Sequence, residues 1–172
     1  MNPVPDIIGT HLKILFVGFN PGLRSAITGY HFAGHSNRFW RLLAESGLTP
    51  RQLKPEESPE LLSLGYGITN IVDRPSKAAA EITKAEYLEG GQNLKQKLAQ
   101  FKPKIACYAG IGVYREFTAK KAVSCGLQAD CFVPGVIDFV LPSPSGLNRT
   151  PFAEQLRWYC ELRGLLALWD DA

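Results

Sequence analysis

No run of the 172 residues is long and apolar enough to cross a membrane. The opening residues, Met1-Asn2-Pro3-Val4-Pro5-Asp6, lack the basic and apolar regions of a secretory signal. The chain is therefore expected to be intracellular, with a cytoplasmic location and no membrane partner. None of the four cysteines, Cys107, Cys125, Cys131 and Cys160, falls in a CxxC pair. That spacing speaks against a zinc knuckle, a dithiol redox motif and an iron–sulfur site, and leaves buried or half-buried free thiols as the expectation. His31 and His35 have no third ligand near them in sequence, so no metal site is expected. Two nucleotide signatures are also missing: no GxGxxG opens into a helix, and there is no GxxxxGK[ST] loop. Without internal repeats, low-complexity tracts or a linker, residues 1–172 are expected to form one domain.

What is present fits a globular chain: hydrophobic residues make up 45% and charged residues 20%. The net charge of +3 is compatible with nucleic acid without pointing to it.

The most informative stretch is Lys13 to Gly22, KILFVGFNPG. Four consecutive apolar residues, Ile14 to Val17, suit a strand buried on both faces. Gly18 and Pro21 then break it, and Pro21 pushes Asn20 away from the α region. One polar side chain is held at the carboxyl end of a buried strand, where ligands bind in open α/β sheets.

Residues 1–12 read as a loosely docked leader and 23–35 as a Gly-dotted loop. Ser36 offers an N-cap for a helix over 37–46, ended by Gly47, with Phe39, Trp40 and Leu43 as its apolar stripe. Pro50, Pro55 and Pro59 predict broken or short helix over 48–65. A strand over 67–72 ends in Asp73-Arg74-Pro75. Thr83-Lys84-Ala85-Glu86 is a capping box opening a helix to Phe101. Strands at 105–109 and 136–141 follow, with a helix near 112–120 and a turn at 132–135 between them. Thr150 is placed to cap a last helix to about Leu168, with Pro151 at its first position. Alternating strands and helices predict an α/β class: a three-layer sandwich whose central, mostly parallel sheet has helices on both faces.

Three strand ends carry polar loops: Asn20-Pro21-Gly22, Asn70 to Pro75, and Ser143 to Arg149. In a parallel sheet all three share one edge and can line one cleft. Ordinary turn chemistry accounts for the same residues singly.

The blocks VGFNPGL at 17–23, GYHFAGHSNRFW at 29–40, YGITNIVDRP at 66–75 and LPSPSGLNR at 141–149 are specific in this order and spacing, and AESGLTPRQL at 44–53 agrees with them. The chain resembles the mismatch-specific uracil-DNA glycosylase and thymine-DNA glycosylase family of the uracil-DNA glycosylase superfamily, over about residues 12–166. The resemblance implies a monomeric, monofunctional base-excision repair enzyme acting on double-stranded DNA. It would hydrolyse the N-glycosidic bond of uracil, and of thymine in some members, opposite guanine. No metal or organic cofactor is implied. Deaminated purines or single-stranded DNA as substrates, or a lesion-binding module without catalysis, are the alternatives.

The same resemblance assigns residues. Asn20 corresponds to the catalytic asparagine, whose amide positions water but cannot take a proton as a carboxylate would. Phe32 corresponds to the aromatic that stacks on the flipped base, worth about 1–3 kcal/mol. Ser25 and His31 fall beside the pyrimidine 5-position, and Asn70 at the base edge. Phe19, Asn37 and Ser143 complete the substrate-binding set. Gly146, Leu147, Asn148 and Arg149 form the insertion loop: Leu147 fills the gap left by the flipped nucleotide, Gly146 and Asn148 address the widowed guanine, and Arg149 holds phosphate. Core packing for Phe32, a helix start for Asn37 and a turn for Asn70 are the simpler accounts of those residues alone. Arg24, Lys77, Lys120 and Lys121 are further candidates for phosphate contact, with solvated charge as the plainer alternative for the lysines.

Overall fold

In a computed structural model, residues 2–170 are described; Met1, Asp171 and Ala172, which belong to the expected leader and domain, lie outside them. The elements run β1 (Ile14–Gly18), α1 (Leu23–Thr28), α2 (Phe39–Glu45), a 3-10 stretch (Pro55–Leu64), β2 (Tyr66–Asn70), a 3-10 turn (Ala79–Glu81), α3 (Lys84–Phe101), β3 (Ile105–Ala109), α4 (Ile111–Thr118), β4 (Gly126–Leu127), β5 (Ile137–Leu141) and α5 (Phe152–Asp170). The sheet has the order β2-β1-β3-β5-β4. Among the described residues four strands pair parallel, the two-residue β4 pairs antiparallel with β5, and an isolated antiparallel bridge joins Ile7 to Ile68 of β2.

Side-chain alternation along β1 splits the core in two. Ile14 and Phe16 join the cluster under α2 and α5, with Leu42, Leu43, Tyr159 and Leu162. Leu15 and Val17 join the cluster under α3 and α4, with Leu94, Leu98, Val113 and Phe117. Both faces are covered, so the three-layer α/β architecture expected from the sequence is the observed one. Among the described residues no helix is long and apolar enough to cross a membrane.

The capping box is present as expected. Glu86 N–H donates to Thr83 Oγ1 at 3.2 Å, and Thr83 N–H donates to Glu86 Oε2 at 2.8 Å.

Several expectations are corrected. The leader is firmly bound. Ile7 exchanges backbone hydrogen bonds with Ile68 (2.9 and 2.8 Å), and Val4 and Leu12 are buried. Asp6 accepts from Thr69 Oγ1 at 2.8 Å and pairs with Lys97. The segment thus closes the exposed edge of β2, a liability in any sheet. The supposed loop at 23–35 begins with α1, which ends on Gly29 in the left-handed region. Ser36 caps nothing; the Phe39 N–H donates instead to Asn37 Oδ1 at 2.9 Å, and α2 starts two residues later than expected. The β2 strand stops at Asn70, not at residue 72. Pro151, not Thr150, supplies the carbonyl that takes the first turn of α5, from the N–H groups of Glu154 and Gln155. Cys107 is buried and Cys125 half-buried, but Cys131 and Cys160 are exposed, which the burial habit of cysteine did not foretell.

Candidate active site at the carboxyl edge of the sheet

Register sets Gly18 beside Asn70 and Ala109 beside Leu141, so the loops leaving β1, β2, β3 and β5 gather at one edge. They enclose a cavity of about 560 Å³, lined mainly from residues 18–25, 31–37, 77–79 and 143–148. That volume suits a small organic ligand. Arg24 and Lys77 are in the lining, and no carboxylate is. The sequence carries no Asp or Glu between Asp6 and Glu45, nor between Asp138 and Glu154. Among the described residues the cavity lining therefore offers no carboxylate to act as a general base.

Asn20 is half-buried in this wall. Its Nδ2 donates to the Arg74 carbonyl at 2.7 Å and to Ser76 Oγ at 2.8 Å. Ser76 Oγ donates to the Ala78 carbonyl at 2.8 Å, so it can only accept from Asn20. Both amide hydrogens of Asn20 are therefore committed and the orientation of the group is fixed, because a reversed amide would set Oδ1 against the Arg74 carbonyl. Among the described residues no donor reaches Oδ1.

Arg74 is itself tethered: its guanidinium donates to the Glu86 carboxylate and to the Glu81 carbonyl (3.0 Å). The bond from Arg74, with that from the Thr83 N–H, holds the Glu86 carboxyl down at about 2. The box that starts α3 thus also anchors the residue whose carbonyl aims Asn20.

Phe32 lies half-buried in the wall with φ +51°, uncommon for a bulky residue. Its ring stacks on Phe39, with centroids 4.0 Å apart and planes 24° from parallel. Phe39 is fully buried and Trp40 nearly so, as the sequence suggested. Gly18 is required here: a Cβ would fall 2.6 Å from Asn70 Oδ1 and 3.7 Å from Phe32 Cζ. Asn70 is half-buried, and its amide has no partner among the described residues. It does not line the main cavity; it belongs to an adjoining groove of about 210 Å³ with Arg74, Glu86 and Lys97.

The remaining expected residues have distinct surroundings. Phe19 lines the cavity, yet its ring packs edge-on to Tyr87 at 6.2 Å and against Gly112. Ser25 is buried in the lining, and its Oγ accepts from the Ala33 N–H at 3.2 Å. His31 is buried in the lining, with Nε2 2.8 Å from the Pro5 carbonyl; burial lowers its pKa. Asn37 uses Oδ1 on the start of α2 and keeps its Nδ2 donors unused, so the helix-start role and a place in the lining coexist. Ser143 Oγ accepts from the Ser145 N–H at 3.3 Å.

In the loop after β5, Leu147 is 85% exposed at the cavity rim. The Asn148 side chain is occupied within the loop: Nδ2 donates to the Ser143 carbonyl at 2.9 Å and Oδ1 accepts from the Thr150 N–H at 3.1 Å. Gly146 lies so close to Ser36 that a Cβ would sit 2.3 Å from its Oγ. Arg149 is exposed, lies outside the lining and has no partner among the described residues. Lys120 lies just past the end of α4, a helix that runs back from the cavity edge, and pairs with Asp130 at 3.5 Å; Lys121 lies beside it.

Sequence reasoning missed Ser76, the Arg74 carbonyl and Arg38. Arg38 Nη1 donates to the Asn148 carbonyl at 3.0 Å and its N–H to the Pro144 carbonyl at 2.9 Å, fastening the loop after β5 to the segment between α1 and α2. Only the polar block DRPS hinted at the first two.

Fold and cavity together define a three-layer α/β protein with a carboxylate-free ligand site at the carboxyl ends of its parallel strands. The chain belongs to the uracil DNA glycosylase superfamily, whose family model matches residues 5–164. Membership places it among DNA glycosylases, hydrolases that act on DNA. A similar fold occurs in a solution NMR structure from Methanosarcina acetivorans, named as a candidate uracil DNA glycosylase. It is 19% identical, covers 95% of this chain and 97% of that one, and superposes with a TM-score of 0.65.

Proposed function

We propose that the protein is a mismatch-specific uracil-DNA glycosylase of the thymine-DNA glycosylase-like branch. It hydrolyses the N-glycosidic bond of uracil opposite guanine in double-stranded DNA, with thymine opposite guanine as the second substrate to test. It works as an intracellular, one-domain monomer and as a hydrolase only. The observation that carries this is the fixed amide of Asn20 in the cavity wall, with both Nδ2 hydrogens committed and Oδ1 meeting no donor among the described residues.

The mechanism follows from the chemistry of the bond. A base inside a duplex is out of reach, so the nucleotide turns out into the cavity, at a cost of a few kcal/mol that is smaller at a mismatch. Leu147 fills the space vacated in the stack. The base stacks on Phe32, which Phe39 backs from the other side. The C1′–N1 electron pair leaves with the base, and a water oxygen bonds C1′. Asn20 Oδ1 accepts one hydrogen of that water and directs its lone pair at C1′. With no carboxylate present, the water is not deprotonated beforehand; its proton ends on the released base or in solvent. The unused donors of Asn37, in the cavity lining, face the charge growing on the leaving base. Such a site depends on positioning and electrostatics, and it is slow. Arg24, Lys77 and Arg149 supply the attraction to phosphate that every duplex binder needs.

The test is base release from labelled duplexes holding one G·U, A·U or G·T pair, and from single-stranded uracil DNA. Release from G·U well above A·U and single strand is the expected order. Binding without release on all four rules the function out.

A further inference from the structure

His31 is tied on one side and open on the other. Its Nε2 lies 2.8 Å from the Pro5 carbonyl, which can only accept, so Nε2 carries the proton. Burial lowers the pKa of the ring, which favours its neutral form. Nδ1 is then an unprotonated acceptor. It meets no donor among the described residues, yet it is not among the partnerless polar atoms sealed inside the protein. The residue lines the cavity, which leaves that lone pair at its wall.

Pro5 is held in place from outside the cavity. Ile7, two residues on, exchanges both backbone bonds with Ile68. Asp6 accepts from Thr69 Oγ1, and Lys97 pairs with Asp6 and donates to Thr69 Oγ1 at 3.0 Å. Val4, on the other side of Pro5, is buried.

We propose that the strap Val4–Ile7 is a working part of the base pocket. By holding the Pro5 carbonyl on His31, it fixes the imidazole with Nδ1 as an acceptor toward the cavity. It thereby biases the pocket toward bases that present a hydrogen-bond donor at that wall. This rests on the pocket taking a pyrimidine with its 5-position beside His31. A site made to exchange a hydrogen bond separates ligands with and without the matching group better than an apolar wall separates them by size. Asp6 and Lys97 are then positioning residues, acting on the base through Pro5 and His31.

Two readouts on the full-length protein test this. Long-range proton–nitrogen spectra of the His31 ring should show the Nε2-protonated form in the wild type and a tautomer mixture in Asp6→Ala. Lys97→Met provides the same release of the strap should Asp6→Ala not fold. Single-turnover release of 5-hydroxymethyluracil and of thymine, each opposite guanine, should favour the hydroxymethyl base by about tenfold or more, the size of one well-made hydrogen bond. His31→Phe and Asp6→Ala should each reduce that ratio, and the double variant should reduce it no further than His31→Phe alone. An Nδ1-protonated ring in the wild type, or a ratio unmoved by both substitutions, overturns the proposal. Should no pyrimidine be released from any duplex, the base-excision function fails, and the tautomer in wild type and strap variants decides whether the strap sets His31.

Discussion

The amide of Asn20 donates to Ser76 Oγ across 2.8 Å, and that hydroxyl donates onward to the Ala78 carbonyl. The two residues stand 56 positions apart, on the loops that leave neighbouring strands. The hydroxyl is an acceptor that costs the cavity no charge. Ser76→Ala removes one of two anchors on Nδ2 and leaves the Arg74 carbonyl. A neutral hydrogen bond is worth about 1 kcal/mol net, so uracil release should slow roughly fivefold with little change in duplex affinity. Single-turnover rates and a binding titration check this.

Asn20→Asp is predicted to be a loss, although it introduces the carboxylate that would make a stronger base. One carboxylate oxygen would replace Nδ2 and face the Arg74 carbonyl, with repulsion where a 2.7 Å hydrogen bond now holds the group, and Ser76 could keep its contact only by turning its hydroxyl away from the Ala78 carbonyl. The variant should release uracil more slowly than wild type at neutral pH. A faster variant would mean that the orientation of the amide is unimportant.

Phe32 and Phe39 stack, but they should respond differently to truncation. Phe39 is fully buried, so Phe39→Ala is expected to cost about 3–5 kcal/mol of stability. Phe32 has its other side toward the cavity, so Phe32→Ala should lose about 1–3 kcal/mol of substrate stacking and less stability than Phe39→Ala. Thermal melts set beside substrate affinities separate the two. Leu147, 85% exposed, is the opposite extreme. Leu147→Ala should leave the melting temperature unchanged while weakening binding and release on duplex far more than on single strand.

The buried carboxyl of Asp138 gives a pH dependence away from the site. It accepts from Tyr114 Oη at 2.8 Å and from the Phe132 N–H at 3.1 Å, and burial nonetheless raises its pKa. An acid whose folded pKa is raised takes up a proton on folding. Its penalty is absent below the unfolded value of 3.8, grows as pH rises toward the folded value and is constant above it. Asn keeps an acceptor for both donors without the charge. Asp138→Asn should therefore melt higher than wild type at pH 8, by about 2–4 °C per kcal/mol recovered, with the gain vanishing near pH 3.5. A gain of equal size at both pH values would mean that the charge is not its source.

The parts of the fold that were legible in the sequence are those written in local chemistry. Unbroken apolar runs marked β1 and β3, a run interrupted only by Asp138 marked β5, and Thr83 with Glu86 marked the start of α3. The α1 helix was hidden because it is short, lacks an acidic first turn and reverses the usual pattern: Ser25 is buried while Ile27 is 71% exposed. The N-terminal strap was misjudged because its anchors, Thr69 and Lys97, lie 63 and 91 positions away and leave no local trace. The gathering of the polar strand ends followed from parallel topology. The tether on Asn20 and the occupation of Asn148 inside its own loop did not, because hydrogen-bond partners across loops are set by packing rather than by spacing.

The most direct measurement is the single-turnover rate of uracil release from a G·U duplex by wild type and Asn20→Ala, with duplex affinity measured in parallel. If Asn20 Oδ1 holds the attacking water, the variant should lose about a hundredfold or more in rate while binding the duplex within a fewfold of wild type. A variant that releases uracil at the wild-type rate would contradict the assignment of Asn20 and the mechanism built on it.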